Sequence, residues 1–256
     1  MTERRGDITF DRTRKLVVLS GGQDSTTCLF QALHDPTTTT LDAVSFDYGQ
    51  RHSVELHSAA FVYELARIEA KSVNFRDMRD YRYVVNLPRF KGKSPLTNPS
   101  VDLESYAGFK EMTAKLEDRV ELTFVSGRNV HFLLEACKLA AELEIGTVVI
   151  GVNEADAGNY PDCQAQFIAL FEKMWQVATR SNVAISAPLQ GMSKEDIVEL
   201  ATKLPGCMRA LAFTTTDYDG AYPPSNNHAS VLRRHGFAAS GHIDPLIMRA
   251  EMEGLL

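Results

Sequence analysis

The sequence predicts an α/β fold with a doubly wound, mostly parallel sheet and a small loop-rich segment at the C-terminal end. Short apolar runs of strand length alternate with stretches of helical periodicity, as in consecutive βαβ units. A Gly-Gly turn at residues 21–22 follows the first of these runs. The alternation stops near residue 205, where prolines and polar residues become frequent. We therefore expect one domain over residues 1–204 and a C-terminal segment over residues 205–256.

The expected elements follow from the positions of the apolar residues. Strands are expected at the short apolar runs 16–19, 43–46, 73–75, 147–150 and 183–186. Helices are expected where apolar residues recur every three or four positions, at 26–34, 61–68, 130–141 and 167–178, with a short one near Ala229. Another helix is expected after Ser193, which forms an imperfect capping box with Asp196. Residues 78–120 interrupt the alternation with prolines and glycines, and we expect a long excursion over the sheet edge that serves as a lid.

The composition excludes several classes of protein. The 256 residues carry 27 basic and 33 acidic side chains, a net charge of −6, which argues against a general nucleic-acid binder. No apolar run approaches the roughly 20 residues of a membrane span, and residues 1–14 lack the apolar core of a signal peptide. We therefore expect a cytoplasmic protein. Its four dispersed cysteines do not form a disulfide scaffold, and none lies in a Cys-x-x-Cys pair that would bind zinc.

The strongest local motif is Ser20-Gly21-Gly22-Gln23-Asp24-Ser25, which lies directly between the first expected strand and helix. Two glycines allow a tight turn and a close approach to a ligand, and the following helix offers N–H groups and a positive dipole end to an anion. Ser20 and Ser25 add hydroxyl donors, whereas Asp24 orients the loop or holds Mg²⁺. The motif lacks the ending of a Walker A loop and the spacing of a dinucleotide-binding motif. In this context it predicts a phosphate loop rather than an ordinary connection.

The phosphate loop resembles that of the N-type ATP pyrophosphatases, which cleave ATP to AMP and pyrophosphate. Four further segments narrow the resemblance: 46–52 after the second strand, 124–129 before a helix, 151–167, and 188–194. In this order and spacing, over residues 15–203, the segments together resemble the QueC family of 7-cyano-7-deazaguanine synthases. The resemblance implies an adenine nucleotide alpha hydrolase-like, Rossmann-like fold.

The resemblance also implies a reaction and a set of site residues. ATP, with Mg²⁺, activates the carboxylate of 7-carboxy-7-deazaguanine as an adenylate. Ammonia then yields the amide, and a second ATP leads to the nitrile. The expected catalytic residues are Asp24, Arg128 and Lys194. The expected nucleotide-binding residues are Ser20, Gly21, Gly22, Gln23, Asp24, Ser25, Phe46, Tyr48, Gln50, Arg51 and Gly127. The expected substrate-binding residues are Arg128, Asn129, Asn153, Tyr160 and Asp162.

Three of the polar residues also have structural interpretations. Arg128 neutralises a phosphate or the substrate carboxylate, or else it is a surface residue in an exposed turn. Asp162 bonds the guanidine-like edge of the substrate, or it caps the following helix. Lys194 contacts a phosphate, or it is a solvated group in the first turn of its helix.

Four other residues are open to more than one interpretation. Tyr48 and Phe124 are candidates for stacking on a purine-like ring, and Phe124 is equally suited to core packing. Cys163 is expected to be structural, because no paired histidine is evident and adenylation needs no nucleophile from the protein. His52 is either a general base or a polar loop residue.

The C-terminal segment departs from the family pattern. The family normally has a four-cysteine zinc site followed by Leu-Arg-x-x-Gly-Phe, which this chain keeps at residues 232–237. Counting back places these residues at the four ligand positions: Thr215, Pro224, Asn227 and Ser230. Zinc prefers Cys or His ligands, so we expect no zinc and a segment held by packing, by the lid or by a partner subunit. Solvent-facing side chains, rather than a substitute site, are expected for His228, His235 and His242.

This departure leaves more than one function open. The first hypothesis is a ligase that makes 7-cyano-7-deazaguanine. The second is a paralogue of the kind found in antiphage defence systems, which conjugates the activated deazaguanine to a protein or peptide amine. The third is a non-catalytic nucleotide-binding module, which the retention of Arg128, Asp162 and Lys194 disfavours. The family resemblance also implies a homodimer, and we expect neither nucleic acid nor membrane as a partner.

Overall fold

The computed structural model describes residues 7–51, 54–75, 77–90, 92–117, 119–153, 158–222 and 224–256. The strands within them are β1 Asp11–Val18, β2 Thr40–Asp47, β3 Tyr83–Asn86, β4 Ile145–Val149 and β5 Ala184–Ser186. They form one parallel sheet in the order β3-β2-β1-β4-β5, so the expected doubly wound parallel sheet is confirmed. Because the winding reverses beside β1, the carboxyl ends of β1 and β4 border a crevice of the kind in which such sheets bind ligands.

Helices cover both faces of the sheet. They are α1 Gln23–His34, α2 Val54–Ser72, α3 Phe109–Leu116, α4 Arg128–Glu142, α5 Ala165–Thr179, α6 Lys194–Lys203, α7 Cys207–Leu211, α8 His228–Ala239 and α9 Pro245–Met252. Successive residues of β1 point to opposite faces. Val17 therefore belongs to the core under α1, α2, α6 and α7, while Leu16 and Val18 belong to the core under α4 and α5. No helix in the described ranges has both the length and the apolar character needed to cross a membrane.

The third strand lies later in the chain than predicted, so the prediction of a strand at 73–75 is wrong. Asn74 has a left-handed backbone (φ 58°) just after α2, and the Phe75 N–H donates to the Ala70 carbonyl over 2.8 Å. The strand beside β2 is instead β3, whose residues alternate between half-buried and exposed at the edge of the sheet. An edge strand lacks the continuous apolar pattern of a central one, and the prolines that follow it favour a loop.

The excursion at residues 78–120 is fastened to the C-terminal segment. Besides β3 it contains α3, where Met112 and Leu116 pack against α8. Just before α3, the Tyr106 N–H donates to the Asn226 carbonyl over 2.9 Å. Packing by the excursion is therefore one of the means that hold the C-terminal segment in place.

The C-terminal segment contains more helix than expected. It includes α7, α8 and α9, whereas the sequence pattern predicts only a short helix near Ala229. Asn227 caps α8 by accepting the Ser230 N–H, and Asp244 caps α9 by accepting the Leu246 N–H. Such caps stabilise short helices, but they are inconspicuous among other polar residues. At the start of α6, both hydrogen bonds of the expected capping box are formed.

Candidate active site

A cleft opens at the carboxyl ends of β1, β2 and β4. Its cavity volume is about 210 Å³, and its walls come from the phosphate loop, the residues after β2 and β4, and the first turns of α2, α4, α6 and α8. Most of the expected site residues line it: Ser20, Gly22, Gln23, Asp24, Ser25, Phe46, Tyr48, Gln50, Arg128, Asn129, Tyr160 and Lys194. The others lie outside the cavity lining: Gly21, Arg51, Gly127, Asn153 and Asp162.

The phosphate loop is braced by its own serines and by α2. The Ser20 N–H donates to the Ser25 hydroxyl over 3.2 Å, and the two hydroxyls lie 3.0 Å apart. Gly21 has a φ of +91°, and a Cβ there would come within 2.5 Å of the Glu55 carbonyl oxygen, so only glycine fits. Gly22 is the N-cap residue of α1, and as a glycine it has no side chain to cap that helix. The loop therefore presents the N–H groups and the positive end of α1, as an anion site requires.

Gly151 allows the end of β4 to approach the phosphate loop closely. A Cβ at this position would lie 2.9 Å from the Ser25 nitrogen and 3.0 Å from the Asp24 carbonyl carbon. Both are backbone atoms, which cannot rotate out of the way as a flexible side chain can. The glycine after β4 is thus required by packing at the switch point of the sheet.

Lys194 and Asp24 form an ion pair beside the loop. Lys194 Nζ lies 2.7 Å from Asp24 Oδ2, and Asn153 Nδ2 donates to the same oxygen over 3.1 Å. The Lys194 side chain is only 8% exposed, so its interpretation as a solvated surface group is wrong. Its stem is covered by α8, where a Cβ on Gly236 would lie 2.8 Å from the Lys194 Cβ. A cation and a carboxylate are therefore held together next to the helix end that attracts anions.

Arg128 is a further cation in the cavity wall. It follows Gly127, whose left-handed φ of +78° precedes the first turn of α4. The guanidinium carbon lies 5.9 Å from the centre of the Phe132 ring, and Nε is enclosed without a hydrogen-bond partner among the described residues. No carboxylate in the described part of the chain forms an ion pair with it. The exposed-turn interpretation is therefore wrong, and the arrangement suits an anionic ligand.

Asp162 supports the start of α4 from behind the wall. Its Oδ2 accepts the Asn129 N–H over 3.2 Å, and Asn129 Nδ2 donates to the Asp162 carbonyl over 3.1 Å. Burial raises the pKa of Asp162, while Arg128 acts in the opposite direction. The interpretation of Asp162 as the cap of its own following helix is wrong, because Gln164 is the N-cap residue of α5.

Aromatic side chains lie beside Arg128. The Phe46 ring stacks on Phe132 with centroids 4.7 Å apart, and the Tyr48 ring is tilted against Phe132 at 5.4 Å. Gln50 holds this turn, since its Oε1 accepts the Tyr48 N–H over 3.0 Å and its Nε2 donates to the Phe46 carbonyl over 3.2 Å. Phe124 packs against the apolar core and does not line the cavity, which favours its core interpretation.

Arg51 acts outside the cavity. Its Nε lies 3.2 Å from Asp219 Oδ1, and Nη1 donates to the Val101 carbonyl over 3.0 Å. It therefore connects the segment after β2 to both the excursion and the C-terminal segment. His52, the next residue, lies outside the described residues.

Several cavity residues were not predicted to belong to the nucleotide or substrate site: Glu55, Leu96, Phe132, Thr215, Thr216, Tyr218 and Arg233. His228 also lines the cavity and is only 2% exposed, so the expectation that it faces solvent is wrong. Burial and Lys194 lower the pKa of His228 to about 4, which keeps the ring neutral at neutral pH. The N-cap residue Asn227 was the available sequence signal, because it places His228 in a first helical turn. His235 and His242 are exposed, as expected.

The residues at the family's four zinc positions have other roles. The Thr215 hydroxyl lies 2.5 Å from the Ser58 hydroxyl, Asn227 caps α8, and the Ser230 hydroxyl donates to Asp217 over 2.8 Å. Pro224 has no side-chain ligand atom. These groups do not fit zinc, which takes thiolate, imidazole or carboxylate ligands. Within the described ranges, no three or more such side chains are clustered closely enough to hold a metal ion.

Asp217 instead organises this part of the chain. The residue is 1% exposed and accepts hydrogen bonds from the Ser225 N–H over 2.6 Å and the Ser230 hydroxyl over 2.8 Å. Burial raises the pKa of Asp217, but these hydrogen bonds outweigh it and hold the pKa below its ordinary value. Arg233 and Asp244 add a buried ion pair with two contacts of 2.7 and 2.8 Å. A carboxylate-centred polar network thus stabilises the segment.

The parallel sheet and the glycine loop at its switch point define a phosphate-loop α/β protein. Residues 14–241 match the family model of the queuosine biosynthesis protein QueC. The chain is 38% identical to the 7-cyano-7-deazaguanine synthase of Chromobacterium violaceum over 247 residues, covering 94% of this chain and 97% of that protein. It is 37% identical to the synthase of Laribacter hongkongensis, with 93% and 96% covered. The chain therefore belongs to the QueC family, which confirms the resemblance to ATP-dependent ligases of the 7-cyano-7-deazaguanine synthase type.

Among solved structures, a 4-thiouridine synthetase in complex with RNA and ATP aligns with a TM-score of 0.45 at 17% identity. The alignment covers 94% of this chain and 53% of that one. A likeness at this level carries no conclusion about activity.

Proposed function

We propose that this protein is an ATP-dependent ligase that activates the carboxylate of 7-carboxy-7-deazaguanine and converts it, with ammonia, to 7-cyano-7-deazaguanine. The observation that carries the proposal is a single cavity that holds the start of α1, Lys194 and Arg128. One helix end and two cations match the negative charge of ATP together with a carboxylate. Family membership supports 7-cyano-7-deazaguanine as the product, because the relatives are named as synthases of this compound.

The positions of the residues suggest their roles. The phosphate loop and Lys194 bind the phosphates, and Asp24 supplies a hard oxygen ligand for Mg²⁺, which when bound neutralises phosphate charge. Arg128 binds the substrate carboxylate, since it lies beside the Tyr48 and Phe132 rings. A flat heterocycle that stacks on these rings places its carboxylate at the guanidinium.

The expected residues outside the cavity lining act in this proposal by positioning others. Asn153 orients Asp24, and Asp162 orients Asn129 at the start of α4. Gly21 and Gly127 supply the left-handed turns that the two loops require. Arg51 ties the turn after β2 to the C-terminal segment.

The chain contributes position and charge stabilisation rather than a covalent intermediate. A carboxylate oxygen of the substrate bonds to the α-phosphorus of ATP, and pyrophosphate leaves with the electron pair. The loop N–H groups and Lys194 stabilise the charge on the leaving group. Ammonia attacks the acyl carbon, AMP leaves, and the amide forms with release of one proton. The amide oxygen then bonds to the α-phosphorus of a second ATP as pyrophosphate leaves, and loss of AMP and of the two N–H protons leaves the nitrile.

The direct test is to incubate the purified protein with ATP, Mg²⁺, ammonia and 7-carboxy-7-deazaguanine. We expect AMP and pyrophosphate that depend on the substrate, and the nitrile by mass spectrometry. Asp24→Ala and Ser20→Ala should abolish AMP release while the circular dichroism spectrum stays unchanged. Formation of ADP, or no substrate-dependent AMP, would refute the proposal.

A second candidate differs only in the amine that captures the adenylate. Thr215, Thr216, Tyr218 and His228 line the cavity and come from the segment that departs from the family pattern. A ligase of the antiphage defence type has to admit a protein or peptide amine to the cavity. A change in the part of the cavity wall that the C-terminal segment supplies fits that requirement. Mass spectrometry of proteins co-expressed with this chain distinguishes the candidates, because only the second produces a deazaguanine adduct on a protein.

A further inference from the structure

Glu55 lies in the first turn of α2, in the wall of the cavity. Its backbone is fixed against the phosphate loop, since its carbonyl oxygen would lie 2.5 Å from a Cβ on Gly21. One turn later, the Ser58 hydroxyl is 2.5 Å from the Thr215 hydroxyl, which anchors α2 to the C-terminal segment as well. These two contacts therefore hold the start of α2, and with it the Glu55 backbone, in a defined place relative to the phosphate loop.

Among the described residues, the Glu55 carboxylate has no partner that would give it a structural role. No described residue donates a hydrogen bond to it, and none forms an ion pair with it. Burial raises the pKa of Glu55 to about 7, and Arg128 limits that rise. A carboxylate in this environment exchanges a proton near neutral pH, which is the property of a general base. The other charged or titratable side chains of residues that line the cavity are Asp24, Tyr48, Arg128, Tyr160, Cys163, Lys194, Tyr218, His228 and Arg233.

Most of these neighbours are poor proton acceptors at neutral pH. Lys194 and Arg128 are cations, and the Lys194 ammonium is already paired with Asp24. Burial lowers the pKa of His228 to about 4, so a proton on its ring is disfavoured. Burial raises the pKa of Tyr48 and of Tyr160, so both phenols stay protonated. Glu55, in contrast, is a carboxylate of the wall outside any ion pair of the described residues, and its pKa lies near neutral pH.

We propose that Glu55 is the general base that takes the proton from the attacking nitrogen when the adenylate is captured. The inference rests on the proposed function. The amine nitrogen bonds to the acyl carbon, and the bond from that carbon to the AMP oxygen breaks, with its electron pair leaving on AMP. One N–H proton moves from the nitrogen to a Glu55 carboxylate oxygen and passes to water after product release. The products are the amide, AMP and a protonated Glu55, so atoms and charge balance.

The test separates adenylation from amine capture. Adenylation is followed as substrate-dependent exchange of labelled pyrophosphate into ATP, which needs no base, and capture is followed as amide plus nitrile by mass spectrometry. Glu55→Gln should retain exchange within about 3-fold and lose capture by about 100-fold, the size of effect typical of a general base. Glu64→Gln is the matched control, because Glu64 lies on the same helix with its side chain 56% exposed. It should leave both measurements unchanged.

The pH dependence of capture gives a readout that a structural role would not move. In the wild type, the rate at saturating ammonia should rise with pH through about 7 as Glu55 loses its proton. Glu55→Gln should lack this rise, and Glu55→Asp should keep it with a lower plateau. Unimpaired capture in Glu55→Gln refutes the assignment, and so does loss of exchange in that variant, which would mean a role in nucleotide binding or folding. Absence of exchange in the wild type refutes instead the proposed function.

Discussion

A methyl group at Gly151 is expected to displace the phosphate loop. In Gly151→Ala the new Cβ meets the Ser25 nitrogen at 2.9 Å and the Asp24 carbonyl carbon at 3.0 Å. Comfortable contacts between such atoms are about 3.5–4.0 Å. The loop, the end of β4, or both must therefore shift by roughly 0.5–1 Å, because neither backbone atom can rotate away. The first turn of α1, on which the proposed phosphate site depends, moves with the loop.

The size of the effect follows from this displacement. Overpacking of a tight site costs about 1–3 kcal/mol of folding free energy. A misplacement of about 1 Å at a reacting group reduces a rate by about 100-fold. We therefore expect Gly151→Ala to lower the free energy of unfolding by about 1–3 kcal/mol and to lower the rate of pyrophosphate exchange by up to about 100-fold.

The assay pairs urea denaturation with pyrophosphate exchange. Gly158→Ala is the matched control, because a Cβ at Gly158 meets no atom of the described residues within 4 Å. The control should stay within about 0.5 kcal/mol of the wild type in stability and match it in exchange rate. Wild-type stability and exchange in Gly151→Ala would show that β4 does not approach the loop this closely, and the reasoning would fail.

Three further predictions concern the C-terminal segment. Asp217→Asn should lower stability at pH 7 by about 3 kcal/mol. Because the folded pKa of Asp217 is lowered, its contribution is present above the unfolded pKa of about 4 and is lost as pH falls through the folded value. Urea denaturation from pH 7 to pH 3 should therefore show the gap between the two proteins closing, and a constant gap would contradict this. Arg233→Met leaves Asp244 buried and unpaired, so we expect a loss of about 3–5 kcal/mol by urea denaturation, whereas an unchanged midpoint would count against the buried ion pair. Since the residues at the family's zinc positions do not fit zinc, a chelator should leave the melting temperature unchanged and metal analysis should find no stoichiometric zinc, whereas about one zinc per chain would overturn our interpretation of the segment.

Local patterns were sufficient for most elements of the sheet. The runs at 16–19 and 147–150 are apolar because their strands are buried on both faces, and they read clearly as central strands. The misplaced third strand marks the limit of this reasoning. Val73 and Phe75 are apolar, but Asn74 between them adopts a left-handed backbone after α2. The edge strand β3 has a weaker apolar pattern than Val73 and Phe75, so sequence reasoning favours the wrong segment.

For the candidate site, family motifs led to Asp24, Arg128 and Lys194, but not to the environment of each side chain. From the sequence alone, Lys194 is equally compatible with a solvated surface lysine. Only the structure shows that α8 covers its stem at Gly236. From the sequence alone, His228 is expected to face solvent. The structure shows instead that it is buried at the start of α8, in the cavity wall. Both outcomes depend on how α8 packs against the cavity, which neither the retained motif at residues 232–237 nor the N-cap residue Asn227 specifies by itself.

The sequence by itself determined the α/β class, the central strands with their neighbouring helices, the glycine loop between β1 and α1, and the family, because these depend on neighbouring residues and on motif spacing. Only the tertiary structure decided which charges meet. It paired Lys194 with Asp24 across 170 positions, enclosed Arg128 without a described carboxylate partner, and placed the half-buried Glu55 in the cavity wall, where its pKa rises to about 7. The physical reason is that the energy of a charge depends on the solvent and charges around it, and residues far apart in the chain supply that environment.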